Sequence, residues 1–348
     1  MRACTVAPGH PDTAGVEEIA EPSEELGEVL VEGLLVGVCG TDVEITSAGY
    51  GWPPPGHKRI VLFHESLGRV LEAPAGSDLT AGDLVVGIVR RPDPEPCLPC
   101  GQGQWDFCRN GGYTERGIKE LDGFGSQRWR APAKYLVKLD ASVGDVGVLS
   151  EPTSVVAKAW DYVERLGARA PWEPKRVLVT GAGPIGLLAA MIGVQKGYDV
   201  HVVDRVTDGL KPQLVAQLGA TYHSKPAGEL GLLPDVAIEC TGVGSVVFDL
   251  MTLLAPDGVL CLTGISSGKH ALDVDESAIN KQLVLTNGIL FGSVNAARRH
   301  YEQAAEYLHA ADRQWLGQLI TRRVPMQSWP QALERSDGDV KVVVDLKA

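Results

Sequence analysis

The sequence predicts an α/β protein of two domains, one a doubly wound parallel sheet and the other mainly β. Three observations carry the prediction. Short apolar runs broken by glycine and proline fill residues 1 to about 157. From Lys175 onward, β-branched runs alternate with Ala- and Leu-rich stretches. A glycine string then sits where the first of those runs gives way to a helix. The chain has 348 residues, which at roughly 150 per domain favours two domains over one.

Val29-Leu30-Val31 and Leu84-Val85-Val86-Gly87-Ile88-Val89 read as short strands between turns. Arg176-Val177-Leu178-Val179-Thr180 opens the alternating half as a strand, residues 185–196 read as a helix, and Val200-His201-Val202-Val203 is the next strand. Further strands are expected at 235–239, 258–262 and 283–289, with a helix at 246–254. A long polar helix at 296–311 leads to a last short apolar segment at 340–346. The domains expected are 158–296 for the parallel sheet and 1–157 with 297–348 for the β domain.

Acidic residues outnumber basic ones by 44 to 32, a net charge of −12, which disfavours nucleic acid and anionic membranes as partners. No run of about 18 apolar residues is present to span a bilayer, and no secretory h-region opens the sequence. A cytoplasmic protein is expected. Seven cysteines, an odd number in a chain too large to need staples, suggest metal binding or catalysis more than disulfides.

Gly181-Ala182-Gly183-Pro184-Ile185-Gly186 follows an apolar strand and opens a helix. In that context Gly181 makes the tight turn, Gly183 admits a pyrophosphate to the backbone, and Gly186 allows close helix–strand packing. The helix start offers unpaired N–H groups to phosphate. Asp204 ends the following strand, placed to accept hydrogen bonds from the adenosine ribose. A carboxylate there favours NAD, and Arg205 beside it leaves room for NADP. The alternating half is thus expected to be a Rossmann dinucleotide-binding domain.

Cys39 lies in Gly37-Val38-Cys39-Gly40-Thr41-Asp42, and His64-Glu65 follows 25 residues later. Thiolate, imidazole and carboxylate are the ligand types of a catalytic zinc, although at this separation the spacing alone decides little. Cys97-Leu98-Pro99-Cys100 followed by Cys108 supplies three of the four ligands a closed structural zinc site takes. Either Asp93 or Glu95 completes that lobe, or the lobe has kept its thiols and lost its ion.

Taken together, these pieces resemble the medium-chain, zinc-dependent alcohol dehydrogenase superfamily over essentially the whole chain, most of all its glucose (aldose) 1-dehydrogenases. The likeness runs in family order through Gly37 to Asp42, His64-Glu65, the cysteine lobe, Glu115-Arg116-Gly117, Asp122-Gly123-Phe124, Leu149 to Val156, the Gly181 string and Gly292-Ser293-Val294-Asn295. The resemblance implies a GroES-like fold for the mainly β domain. It makes Cys39, His64 and Glu151 ligands of a catalytic Zn²⁺, and Cys97, Cys100 and Cys108 ligands of a structural one. Thr41 becomes the hydroxyl at the reacting oxygen, and Glu65 a residue beside the metal that exchanges with water or holds a sugar hydroxyl. Glu65, Glu115, Glu151 and Asn295 become substrate contacts. Gly181, Gly183, Pro184, Ile185, Gly186, Asp204, Arg205, Thr241, Gly242, Ser293 and Asn295 become contacts to NAD or NADP.

The activity implied is oxidation of an aldose at C1 to a lactone, in a homodimer or homotetramer. A zinc-dependent polyol or secondary-alcohol dehydrogenase, and a non-catalytic NAD(P)-binding sensor or scaffold, are the alternatives. Two departures from the family stand out: Pro94 replaces the first lobe cysteine, and Phe63 stands where glycine is usual before the histidine. The loop Gly51-Trp52-Pro53-Pro54-Pro55-Gly56 lies between two ligand segments. The seven tryptophans show no spacing that suggests a carbohydrate platform.

Overall fold

A computed structural model describes residues 1–266 and 271–348. The chain divides into two compact units, one of residues 1–154 with 295–348 and the other of residues 155–294.

The first unit is built on an antiparallel framework. Its largest sheet runs in the order Leu136–Leu139, Leu84–Gly87, Glu65–Glu72, Val29–Gly37, Lys341–Asp345, Ile320–Pro325, and Arg128–Ala131 also pairs with Val29–Gly37. Only the last two strands on this path are parallel to each other. The central strand Val29–Gly37 alternates buried and half-buried residues until Leu35, after which every residue is buried. That pattern fits a strand whose final turns are covered on both faces. The core gathers Val29, Val31, Val36, Phe63, Trp129 and Trp329 with their neighbours.

The second unit is a six-stranded parallel sheet in the order Thr221–His223, Asp199–Val203, Arg176–Thr180, Val236–Glu239, Val259–Leu262, Ile289–Gly292. The strand order reverses beside Arg176–Thr180, the switch point at which open α/β sheets bind nucleotides. Val177, Leu178 and Val179 are buried there, as a strand covered on both faces requires.

One expectation fails. The strand read at 283–289 is a helix, Glu276–Leu285, followed by a short strand, Ile289–Gly292. Asp275 caps the helix by accepting from Ala278 N–H at 2.9 Å, and Asn287 at φ 53° with Gly288 turns the chain out of it. The apolar run Leu283-Val284-Leu285 is the end of that helix, and a run so short carries no period to tell helix from strand.

Candidate active site

Cys39 ends the extended run after the central strand and is the N-cap of the helix Gly40–Ala48. Its backbone N–H donates to Asp42 Oδ2 at 2.8 Å, so Asp42 fixes the turn that presents the sulfur. Thr41, in the first turn, holds its hydroxyl 3.9 Å from Cys39 Sγ. Glu65 opens the neighbouring strand Glu65–Glu72, where it pairs with Gly37 across the sheet, and His64 immediately precedes it. Ligand atoms of Cys39, His64 and Glu65 all lie within 4.8 Å of one another.

Residues far apart in sequence therefore meet as sulfur, imidazole and carboxylate. His64 Nδ1 lies 3.5 Å from Asp42 Oδ1, and Asp42 is fully buried. With Nδ1 turned to a carboxylate, the other ring nitrogen is the one left to ligate, the arrangement typical of metal-binding histidines. Burial pushes the His64 imidazole down in pKa, but the Asp42 carboxylate and the Cys39 sulfur outweigh it and hold it well above its usual value. A buried site that draws positive charge this strongly fits a divalent cation, and so do its donor types.

Lys341, from the C-terminal strand, is the residue that sequence reasoning missed. It is 2% exposed, its ammonium pairs with Glu65, and it also donates to the Val38 carbonyl at 2.9 Å. Gly37 makes room for this pair. A Cβ on Gly37 would lie 1.9 Å from Glu65 Oε2 and 2.9 Å from Lys341 Cε. No short motif surrounds Lys341; its one signal is a lysine at the head of an apolar strand, Lys341–Asp345. Asp42 stood in the quoted motif, yet its place behind His64 appears only in space.

Glu151 begins the helix Ser150–Gly167 and is half-buried. Burial raises its carboxyl to about 7; His64 and Lys341 oppose the rise while Glu65 and Asp42 add to it. Its carboxyl thus stands in the field of this cluster, although it is not one of the three groups whose ligand atoms converge. Phe63 adopts φ 72°, a conformation in which glycine costs nothing and a bulky residue about 1–2 kcal/mol. Its side chain is fully buried, edge to face with Trp329 at 5.6 Å, so it fills the core and leaves the metal pocket alone.

A second polar group lies in the same unit. Glu115, 6% exposed, accepts from Arg90 Nε at 2.9 Å and from Asn295 Nδ2 at 2.7 Å. Asn295 adopts φ 59°, and its own Oδ1 accepts from Ala296 N–H. These groups hold donors and acceptors at fixed positions, as recognition of a polyhydroxylated molecule requires.

In the cysteine lobe Cys97 caps the one-turn helix Leu98–Gly101, and the sulfurs of Cys97, Cys100 and Cys108 fall within 4.8 Å of one another. Among the described residues no fourth ligand joins them. Asp93 accepts from the N–H groups of Glu95 and Gly112 at 2.9 and 3.1 Å instead. N–H groups of Arg109 and Cys100 lower Cys97 to about 7, whereas burial lifts Cys100 to about 11.

In the second unit, Gly181 adopts φ 90° at the end of Arg176–Thr180, and Gly183 caps the helix Pro184–Gln195, which carries Ile185 and Gly186 in its first turn. A Cβ on Gly186 would collide with the Gly181 carbonyl at 1.8 Å, while one on Gly183 would meet nothing within 4 Å. One glycine is thus a packing requirement, and the other leaves open space over the turn. Asp204 Oδ2 accepts from Ala182 N–H at 2.6 Å and lies 3.5 Å from Lys211 Nζ, a cation the sequence reading overlooked. Arg205 is exposed. Thr241 and Gly242 are held by fully buried Glu239, which accepts from their N–H groups at 2.6 and 3.1 Å. Ser293 is buried beyond the last strand of the sheet.

Two family matches cover most of this chain. The alcohol dehydrogenase GroES-like domain matches residues 25–141, and the glucose dehydrogenase C-terminus matches residues 144–346. The chain belongs to the medium-chain dehydrogenases, in the glucose dehydrogenase family. It is 40% identical to a glucose 1-dehydrogenase of Thermoproteus tenax, with 100% of both chains covered. It is 38% identical to glucose 1-dehydrogenase 2 of Vulcanisaeta moutnovskia, with 99% of each covered. A glucose dehydrogenase of Haloferax mediterranei, solved in complex with NADP, Zn and gluconolactone, superposes with a TM-score of 0.91 at 33% identity, covering 99% of each chain. The GroES-like and Rossmann folds are therefore those of the family. No helix among the described residues is long and apolar enough to cross a membrane.

Proposed function

We propose that this protein oxidises a cyclic aldose such as glucose at C1, reducing NAD(P) and releasing a lactone. One observation carries the reading: Cys39, His64 and Glu65 converge within 4.8 Å around a buried, cation-favouring site. The Haloferax relative, with its NADP, zinc and gluconolactone, supports the same chemistry.

Cys39 and His64 would hold the zinc ion, with carboxylate oxygen from Glu151 or from Glu65. Bound there, zinc supplies Lewis acidity toward the C1 hydroxyl. Thr41 takes up the hydroxyl proton and passes it to solvent, while the C1 hydrogen leaves with its electron pair to the nicotinamide. Glu115 and Asn295, braced by Arg90, orient the remaining hydroxyls, which turns binding energy into alignment. The Gly181–Gly186 turn and Thr241-Gly242 bind the cofactor. Asp204 suits the ribose of NAD, and Lys211 with Arg205 supplies cations for the 2′-phosphate of NADP. The lobe of Cys97, Cys100 and Cys108 takes a structural zinc.

Seven free cysteines suit the reducing cytoplasm. A second copy of the chain packs on the second unit, where apolar side chains stand exposed along a sheet edge that is unpaired among the described residues. The decisive variant is Cys39→Ala. It is expected to lose turnover and bound zinc while NAD(P) binding survives, measured by metal analysis, absorbance at the NADH band and cofactor titration. Full activity in a verified metal-free variant would refute the reading. An aldose panel run against polyols separates C1 oxidation from secondary-alcohol oxidation.

A further inference from the structure

Glu115, Asn295 and Arg90 offer partners for hydroxyls, but none of them offers an apolar surface to a sugar ring. Two aromatic side chains on a loop hydrogen-bonded to the turn after Glu115 do. Tyr50 and Trp52 are 44% and 48% exposed, and their rings meet edge to face with centroids 5.4 Å apart.

The backbone beneath these rings is fixed. Trp52 N–H donates to the Ile118 carbonyl at 2.9 Å, and the Trp52 carbonyl accepts from Glu120 N–H at 2.7 Å, bridging Trp52 to Lys119. That turn closes on Glu115 itself: Ile118 and Lys119 donate to the Glu115 carbonyl at 3.1 and 2.9 Å, and Glu115 N–H donates to Lys119 at 2.8 Å. Between the two aromatics, Gly51 at φ 102° approaches the Ile45 side chain so closely that a Cβ would meet it at 3.0 Å. The ring pair is therefore fastened to the turn that sets the Glu115 carboxylate. The Tyr50 hydroxyl, raised first by burial, also responds to the charges of Glu115 and Glu44.

Large aromatic faces left in water on a backbone this constrained are contact surfaces, and their neighbours name the contact. A pyranose presents hydroxyls around its rim and C–H bonds on its faces. The slightly positive C–H hydrogens meet the negative face of an aromatic ring, while the rim oxygens stay free for polar partners. We propose that Tyr50 and Trp52 form a stacking ledge for the ring of the aldose, with Trp52 in direct contact. The inference rests on the aldose reading above and adds the apolar half of substrate recognition, on the loop between two ligand segments that the sequence offers as a shaper of the pocket mouth.

The test uses the whole, zinc-loaded protein with Trp52→Ala and Trp52→Phe. In W52A the KM for glucose is expected to rise about ten-fold with kcat changed less than about two-fold, the loss of one aromatic contact. Zinc content and the KM for NAD(P) should not move. W52F, which keeps an aromatic face, should keep a KM near that of the parent. A change in tryptophan emission on adding glucose, present in the parent, should be lost in W52F. An unchanged KM in W52A, or an emission change of undiminished size in W52F, overturns the ledge. A parent protein that turns over no aldose overturns the aldose reading instead, so the two failures are told apart.

Discussion

The pair Lys341–Glu65 shows how one residue beyond the motifs governs those within them. Both side chains are 2% exposed, so each charge is out of water and depends on the other. Removing one partner of such a pair leaves an uncompensated buried charge, at a cost of about 3–5 kcal/mol. Lys341→Met is therefore expected to lower unfolding stability by that amount in urea titrations, and Lys341→Arg by less, because charge and donors persist. Equal stability of K341M and the parent would show that Glu65 is held by other means. The consequence also reaches zinc. On the proposed zinc site, a Glu65 freed from Lys341 would compete for the ion with Cys39 and His64, so chelator competition should show altered metal retention in K341M. Sequence alone exposed the ligand types here but not this counter-charge, since Gly37, Glu65 and Lys341 lie on three strands and become neighbours only through sheet register.

Among the elements, those with a repeated local signal were legible and those set by tertiary packing were not. The strand and glycine turn at Arg176–Thr180 and Gly181 combine a β-branched run, a left-handed glycine and a helix start, each stating the same structure. Leu283-Val284-Leu285 lacked such agreement and was read as strand, because caps at Asp275 and Asn287, not the apolar residues, define that helix. His64, Glu65 and Cys39 were legible as residue types, but their meeting needed the pairing of Gly37 with Glu65. The cysteine lobe is a self-contained element and can be tested as one. With Cys97 lowered to about 7 and Cys100 raised to about 11, metal-free protein at neutral pH should carry a substantial Cys97 thiolate and almost none at Cys100. Alkylation followed by mass spectrometry should thus mark Cys97 first, faster as pH rises from 6 to 8 through its pKa of about 7. Added zinc should protect all three thiols. Labelling of Cys97 that ignores zinc would mean that the lobe, with Pro94 in place of a fourth thiol, no longer holds the ion.

At the scale of the whole molecule, a chain of net charge −12 repels its copies at long range, so the proposed association would rest on a local apolar surface. The second unit has one. Val284 and Leu285 are 65% and 70% exposed at the end of the helix Glu276–Leu285, and Leu290 and Val294 are 37% and 56% exposed in and after the edge strand Ile289–Gly292. Among the described residues that strand ends its sheet with one side unpaired, a template for another strand unless something covers it. Pairing with the same edge of a second copy would satisfy the free backbone groups and bury the apolar side chains in a two-fold interface. Stable interfaces of this kind bury at least roughly 1,200 Å², which four side chains and one short strand only begin to supply, so a charge at the centre should be decisive. The variant Leu285→Lys with Leu290→Lys is expected to sediment as a monomer where the parent sediments as a dimer or larger. The lysines lower the net charge from −12 to −10, so the loss comes from like charges meeting at the two-fold contact, and high salt should partly restore the parent's state. A parent that is monomeric at micromolar concentration, or a doubly charged variant that still dimerises, would place the contact between copies elsewhere and leave this edge to be protected by its short length alone.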